Sequence, residues 1–232
     1  MYFRNFLLRA LQAEDAAHLT PLLREISLSR GQPLFEPGDT IETLYFPSSA
    51  CISVVTVMRD GRQIETATIG RESAAALLDA VTGQPTASRI FVQVGGSALA
   101  LPAQVYRQRM SASLPLVELT LRHARASAQQ AELGVGCNLA HPADGRMARW
   151  LLMTQDRVGD RILPLTQDYL SVMTGVQRTT VSLMANALKT AGVIDYSRGQ
   201  LTILDREGLI ARACECYPVS ERQFEALRSG GD

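Results

Sequence analysis

The chain has few of the residues that mark enzymes and none of the long apolar runs that mark membrane proteins. Its three histidines, His18, His123 and His141, are scattered, and we find no nucleophile paired with a base and no metal cluster in the sequence. Active sites bring such groups together, so we expect no catalytic site. No hydrophobic run approaches a membrane span, and residues 1–11 are too short and polar for a signal peptide. We therefore expect a cytoplasmic protein that does not enter a membrane.

The chain also lacks an excess of charge of either sign. Its 23 basic residues balance 23 acidic ones, and Lys189 is the only lysine. This balance does not by itself indicate a nucleic-acid partner. A monomer with so little positive charge would bind DNA weakly, whereas a dimer would double the number of phosphate contacts. A hydrophobic fraction of 46% is typical of a globular protein, and 232 residues allow one large or two modest domains.

Cysteine is scarce, and its spacing does not suggest a metal site. The four cysteines are Cys51, Cys137, Cys214 and Cys216. Without a sign of export, reduced thiols are the expectation. The Cys-x-Cys pair at 214–216 has no second pair near it in the sequence, and a structural zinc ion needs four ligands. We predict ordinary thiols and no metal, with metal binding or redox sensing as the less favoured alternative.

The most informative stretch runs from Leu165 to Leu204. Thr166 is a good N-cap, Gly175 allows a tight left-handed turn, and Gly192 ends a second helical pattern. Residues 196–200 then form a turn between two short β runs. The stretch therefore predicts two short helices joined by a tight turn and followed by a β-hairpin.

The second of these helices has one apolar side and one polar side. Val181, Met184 and Leu188 recur at helical spacing and are expected to face inward. This pattern favours a helix-turn-helix with a wing, whose second helix fits a major groove, over an ordinary helical hairpin packed on a sheet. The residues predicted to contact DNA are Thr166, Gln167, Gln177, Arg178, Thr179, Thr180, Ser182, Leu183, Asn186, Lys189, Ser197 and Arg198.

The order of residues here resembles the C-terminal domain of the Crp/Fnr family. The resemblance rests on LTQDYL (165–170), GVQRTTVS (175–182), AGVIDYSRG (191–199) and LTILDREGL (201–209). Members are bacterial transcription regulators with an N-terminal cyclic-nucleotide-binding-type β-roll. The resemblance implies a homodimer on a near-palindromic DNA operator, and it leaves contacts with RNA polymerase and an unknown small-molecule effector open. A sensing module whose winged domain binds a protein rather than DNA is the alternative.

The expected fold class is α+β. Residues 1–112 are predicted to form an antiparallel β-roll of jelly-roll type, residues 113–140 a dimerisation helix with a hinge, and residues 141–232 the winged helix-turn-helix. The strands are predicted at 25–28, 44–46, 51–57, 63–69, 88–94 and 98–101, with a turn-rich segment at 29–39. The remaining helices are predicted at 6–11, 14–24, 102–110, 145–156, 206–216 and 221–227.

Residues 114–139 form a long helical pattern with a heptad-like seam, in which small alanines would let two helices approach closely. In the family this helix pairs with its twin; the alternative is a helix packed only on its own β-roll. Gly134 and Gly136 are expected to soften its end and mark the hinge. The predicted dimer interface is Val117, Leu121, Ala124, Ala128, Ala131 and Val135.

The effector site of nucleotide-binding members has a glycine and a glutamate, a short helix, and then an arginine followed by a hydroxyl residue. A cyclic phosphate needs the guanidinium, and a ribose hydroxyl needs the carboxylate. Here Thr86 stands where the phosphate arginine is expected, so we disfavour a cyclic nucleotide relative to an unknown effector or a roll kept only as a scaffold. The predicted pocket comprises Gly70, Arg71, Glu72, Ser73, Thr86, Ser88 and Arg89.

The sequence departs from well-known members in two further respects. Thr179 stands where a glutamate often follows the first arginine of the recognition helix, and Leu183 stands where an arginine often sits. Leucine can touch a thymine methyl group but cannot read guanine, so the operator should differ from the usual family site. No cysteine cluster lies near the N-terminus, so we do not expect the iron–sulfur oxygen sensing found in part of the family.

Overall fold

The structure, a computed structural model, describes residues 3–228, with the side chains of residues 3–223. Two short helices open it, α1 (Phe6–Arg9) and α2 (Ala13–Leu19), and α2 passes into a 3₁₀ turn at Thr20–Leu22. Pro21 lacks an amide hydrogen and cannot continue an α-helix, so the predicted second helix is shortened at this point.

Two antiparallel sheets form the N-terminal domain and enclose one apolar core. One sheet has the order β1–β7–β3 and the other the order β2–β6–β4–β5. The strand at 33–35 was not predicted, because three residues are too few for an alternating pattern to show. The strands are β1 (Arg24–Leu28), β2 (Pro33–Phe35), β3 (Thr43–Pro47), β4 (Cys51–Val57), β5 (Gln63–Ile69), β6 (Arg89–Val94) and β7 (Gly96–Pro102).

Three helices accompany the roll: α3 (Leu77–Thr82), α4 (Ala103–Met110) and α5 (Leu114–Ala140). The long helix α5 includes Gly134 and Gly136, which were expected to soften its end. It continues through both to Ala140, since a glycine costs a helix only about 1 kcal/mol. It ends at His141, whose backbone is extended, because the residue before a proline avoids the helical region.

The C-terminal domain is a helical unit with a small sheet of order β8–β10–β9. The two-residue strand β8 was not predicted. Its elements are α6 (Ala143–Val158), β8 (Ile162–Leu163), α7 (Gln167–Thr174), α8 (Arg178–Thr190), β9 (Ile194–Ser197), β10 (Gln200–Ile203), α9 (Arg206–Ile210) and α10 (Cys216–Arg228).

The two helices predicted at 206–216 and 221–227 are both present, but the first ends at Ile210 and the second begins at Cys216. The chain turns between α9 and α10, and the amide of Cys214 donates to the carbonyl of Gly145 on α6 at 3.3 Å. A tertiary hydrogen bond therefore overrides the local helical pattern at this position. Within residues 3–228, no helix is long and apolar enough to cross a membrane.

The two domains pack against each other along α6 and α7. The indole nitrogen of Trp150 donates to Glu65 at 2.7 Å, and the rings of Phe91 and Tyr169 lie 5.9 Å apart. Cys51 of the β-roll belongs to the apolar core of the C-terminal domain. The winged domain is thus docked on the open face of the four-stranded sheet.

Candidate nucleic-acid interface

The helix-turn-helix is built by local signals at its three junctions. The Thr166 hydroxyl accepts from the amide of Tyr169 at 3.3 Å and caps α7, and Gly175 turns the chain with φ +68°. Gln177 precedes α8 without a side-chain cap. The first-turn amides of α8, which have no partner within the helix, are therefore free to meet an anion.

Helix α8 separates an inward from an outward face. Val181, Met184 and Leu188 are buried, as predicted. Leu183, by contrast, is 72% exposed on the outward face. Among the other predicted contact residues, the exposed ones on or just before α8 are Gln177, Arg178, Thr179, Asn186 and Lys189, and Thr180 and Ser182 are half-buried.

Two of the cations on this face are paired with carboxylates of the same domain. Arg178 lies 3.3 Å from Asp168 and donates to the side chain of Gln167, and Lys189 lies 2.7 Å from Asp195. The hydrogen bond from Lys189 lowers the pKa of Asp195. Exposed pairs of this kind contribute at most about 1 kcal/mol, so phosphate groups can replace the carboxylates at small cost.

The wing is a two-residue β-hairpin between β9 and β10. Arg198 and Gly199 both have positive φ, +50° and +74°, the pattern of a type I′ turn. Ser197 and Arg198 are exposed at its tip. An open groove of about 420 Å³ lies between this tip and the start of α7, and its lining includes the predicted contact residues Thr166, Gln167, Arg178 and Arg198.

The predicted effector residues do not share one pocket. Glu72 and Ser73 line a cavity of about 240 Å³ between β5, α3 and α5. Arg71 instead donates to the carbonyl of Asp156 on α6. Gly70 supports the side chain of Arg157, because a Cβ at Gly70 would lie 2.4 Å from the Arg157 Cγ.

The second half of the predicted pocket lies away from that cavity. Thr86 is buried, and its backbone bonds to residues 38 and 39 while its hydroxyl accepts from the amide of Ser88. Arg89 pairs with Glu36 at 3.2 Å. The lining of the cavity that contains Glu72 and Ser73 includes none of these three residues.

The cavity beside α5 is uncharged over most of its wall, and its lining includes no arginine or lysine. His123 on α5 faces it and shares a 2.7 Å hydrogen bond with the Ser73 hydroxyl. Burial lowers the pKa of His123 to about 4, so the ring is neutral at pH 7. The Nδ1 atom of His123 is buried without a partner.

Sequence reasoning missed two contacts between the domains, one buried and one partly buried. Arg157 on α6 donates to Glu72 at 2.7 Å, with both side chains less than 8% exposed. Glu65 accepts from Trp150 and also from Ser53 at 2.8 Å, and burial raises the pKa of Glu65 to about 7. The partners of both contacts are 85 residues apart, so no local pattern could have revealed them.

Cys214 and Cys216 have no further ligand near them in the sequence, but the fold brings two others close to them. In the structure Cys137 and His141, from the end of α5, join them, and the four ligand atoms lie within 4.8 Å of one another. Cys51 is buried in β4, away from this group, and donates to Gln93.

Comparisons with known proteins identify both domains. Residues 25–113 match the cyclic nucleotide-binding domain family, and residues 145–212 match the Crp-like helix-turn-helix domain family. A comparison with curated protein sequences found no match.

Solved structures share the arrangement at low identity. FixK2 from Bradyrhizobium japonicum has a TM-score of 0.69 at 16% identity, over 83% of this chain and 98% of FixK2. A Crp-family regulator from Thermus thermophilus has a TM-score of 0.68 at 16% identity, over 82% of this chain and 96% of the other. The regulator CLP from Xanthomonas campestris, described as c-di-GMP responsive, has a TM-score of 0.60 at 12% identity, over 83% and 99%.

These matches confirm the expected fold class, and they group the chain with regulators rather than with enzymes. The order of the two matched domains is that predicted from the sequence, a β-roll followed by a winged helix-turn-helix. The chain belongs to the Crp/Fnr family of transcriptional regulators.

Proposed function

We propose that this protein is a sequence-specific DNA-binding regulator that grips a near-palindromic operator as a homodimer. The observation that carries the proposal is the outward polar face of α8, which lies beside the wing tip and is left exposed by the part of the chain that the structure describes. A helix of this width enters a major groove, and two-fold symmetry places a second copy about one helical turn away.

The chemistry of this face assigns roles to its residues. Arg178, near the free amides at the start of α8, is suited to a guanine edge or a phosphate. Thr179 and Leu183 lie one helical turn apart on the same face, so the leucine is placed to touch a thymine methyl group. Lys189 at the other end of α8 and Arg198 at the wing tip are suited to backbone phosphates.

The dimer is supported by the uncovered side of α5. This helix has 27 residues, about 40 Å of length. Leu121 and Val135 on the predicted seam are each 63% exposed, and Ala128 and Ala131 are exposed as well. Val117 and Ala124 are half-buried. An apolar stripe of this length fits a second copy of the same helix, which would bury it.

The effector side of the proposal rests on the cavity beside α5. Its walls offer hydroxyl, amide and carboxylate groups and a neutral imidazole, but no cation for a phosphate. Glu72, which would meet a ribose in the family arrangement, is already paired with Arg157. We propose that any effector at this cavity is a small molecule without a phosphate group.

DNA recognition is tested by selecting duplexes from a random pool with the full chain and titrating the selected duplex by fluorescence anisotropy at fixed salt. Arg178→Ala should weaken specific binding by about ten- to a hundred-fold, the loss expected for one base or phosphate anchor. Arg62→Ala is the matched control, because Arg62 is also an exposed arginine paired with an aspartate, Asp60 at 2.7 Å, but lies on the β-roll.

Equal affinity for wild type and Arg178→Ala would contradict this assignment of the recognition helix. If no duplex is retained even at low salt, the alternative is favoured, in which the winged domain binds a protein partner.

Dimerisation is tested by light scattering after size-exclusion chromatography. Leu121→Glu places a charge on the α5 seam and should yield monomers that lose operator affinity. Leu204→Glu is the control, because Leu204 is similarly exposed, at 58%, but lies after the wing. A Leu121→Glu protein that remains dimeric would show that α5 is not the interface.

A further inference from the structure

Three cysteines and one histidine meet where the dimer helix ends. Cys137 lies in the last turn of α5 and His141 directly follows it, while Cys214 lies in the turn between α9 and α10 and Cys216 begins α10. All four ligand atoms lie within 4.8 Å of one another. Three of the residues are buried or nearly so, and none of the cysteines forms a disulfide. This grouping joins segments that are more than 70 residues apart.

Two of the distances between ligand atoms match the edges of a tetrahedron around one ion. Zinc–sulfur bonds of about 2.3 Å and zinc–nitrogen bonds of about 2.0 Å put tetrahedral ligand atoms about 3.8 Å apart for two sulfurs and about 3.5 Å apart for sulfur and nitrogen. The Sγ atoms of Cys137 and Cys214 are 3.5 Å apart, and the Sγ of Cys216 is 3.6 Å from the Nδ1 of His141. An iron–sulfur cluster, which inserts several irons and sulfides between its cysteines, would hold them farther apart.

The histidine is oriented as a metal ligand by a carboxylate. Its Nε2 lies 2.9 Å from an oxygen of Glu215, while its Nδ1 points toward Cys216. With Nε2–H donated to Glu215, the lone pair of Nδ1 faces the three sulfurs. Pairing of a ligating imidazole with an outer carboxylate is typical of zinc sites and fixes the tautomer.

The surroundings provide positive charge for a site of this kind. A divalent ion with three thiolates has a net charge of −1, and the guanidinium of Arg149 on α6 interacts electrostatically with both Cys137 and Cys216. The Nε atom of Arg149 is buried and has no hydrogen-bond partner. The backbone is also fixed, because the amide of Cys214 donates to Gly145 and the Cys214 carbonyl accepts from Tyr217 at 3.0 Å.

We propose that Cys137, His141, Cys214 and Cys216 bind one Zn²⁺ ion in a closed tetrahedral site that ties the end of the dimer helix to the end of the DNA-binding domain. Binding forms three Zn–S bonds and one Zn–N bond and releases up to three thiol protons to solvent, with no change of oxidation state. All four positions are filled by protein, so the ion is structural rather than catalytic. The proposal does not depend on DNA recognition.

The site is tested with Co²⁺ as a spectroscopic probe on untagged, full-length protein that has been reduced and stripped of metal with a chelator. One equivalent of Co²⁺ should produce intense tetrahedral ligand-field bands and a thiolate-to-cobalt charge-transfer band, and Zn²⁺ should bleach both. Elemental analysis of freshly purified protein should find one zinc per chain. An absence of the thiolate band, or uptake of metal without tetrahedral bands, would overturn the proposal.

Variants assign the ligands. Cys137→Ser and Cys214→Ser should lose stoichiometric binding, whereas Cys51→Ser, the matched buried cysteine outside the group, should bind as wild type does. Glu215→Gln should weaken Co²⁺ binding about ten- to a hundred-fold; because Glu215 is 79% exposed, this variant tests the site without disturbing the fold.

Two results would replace the zinc site with another assignment. Full binding by Cys137→Ser would exclude the proposed ligand set. A mass two hydrogens below that of the reduced chain, without metal uptake, would identify a Cys137–Cys214 disulfide instead.

Discussion

The buried ion pair between the domains makes the sharpest prediction about how this molecule is held together. The Nε of Arg157 lies 2.7 Å from an oxygen of Glu72, and the two side chains are 6% and 7% exposed. Arg157 also donates to the carbonyl of Met153. The guanidinium and the carboxylate are therefore both shielded from water, and the charge of each is compensated chiefly by that of the other.

Removing one partner should cost much more than removing both. An unpaired buried charge costs about 3–5 kcal/mol, while replacing a whole buried pair by neutral groups is often close to neutral. Arg157→Met and Glu72→Gln should each lower the free energy of unfolding by that amount. The double variant should be more stable than the sum of the two losses predicts, with a coupling energy of at least about 2 kcal/mol.

Urea denaturation followed by the fluorescence of Trp150, the only tryptophan in the chain, measures these free energies at the domain contact itself. Asp60 and Arg62 form a control pair, because they are equally close but 53% and 73% exposed, and solvent should leave their coupling much weaker than that of the buried pair. If the buried pair couples no more strongly than this control, the domains are not docked through a dry contact and the reasoning fails.

Three further predictions concern pH, a turn and the metal. Burial raises the pKa of Glu65 from its ordinary 4.5 to about 7, so between these values the folded chain holds a proton that the unfolded chain releases. The free energy of unfolding should therefore fall by about 3 kcal/mol as the pH rises from about 4 to above 7. Urea titrations of Glu65→Gln should lack this part of the pH dependence. Gly175→Ala has room for its methyl group but keeps φ at +68°, so it should cost about 1 kcal/mol in the same assay, and no loss would refute the left-handed turn. A chelator should lower the melting temperature of the zinc-loaded protein, since metal at a thousand times its Kd stabilises by about 4 kcal/mol, and Cys137→Ser should melt alike with and without chelator.

The sequence was most informative where structure is determined locally. Strands β4 and β5 have the predicted bounds because β-branched and alternating residues flank a strong Asp60–Gly61 turn. The junctions of α7 and α8 follow from Thr166, Gly175 and Gly192, each of which sets the backbone at its own position. The effect of such residues on the backbone can be predicted from the sequence without knowledge of any long-range partner.

Sequence reasoning failed where the outcome depends on a distant partner. Nothing near Glu72 indicates that Arg157 will reach it from another domain, and nothing near Cys214 indicates that Cys137 will lie beside it. Helix α5 is also continuous through Gly134 and Gly136, where the sequence predicted a softened end. Two glycines in a helix can be tolerated when neighbouring turns propagate through them, whereas the proline at 142 removes the helical option from His141 outright.

The positions of these contacts along α6 determine how far each of them would move if the chain rotated at His141. The chain bends at His141, inside the cysteine–histidine group, and α6 then carries Trp150 and Arg157 away from the bend by about 13 Å and 24 Å at the rise of an α-helix. Rotation about the bend moves Arg157 about twice as far as Trp150 and moves the metal ligands least. The Glu72 pair should therefore break first, the Glu65 contact next, and the metal site last. Glu72 also lines the cavity beside α5. A ligand that competed for its carboxylate would therefore act on the contact that lies farthest from the bend.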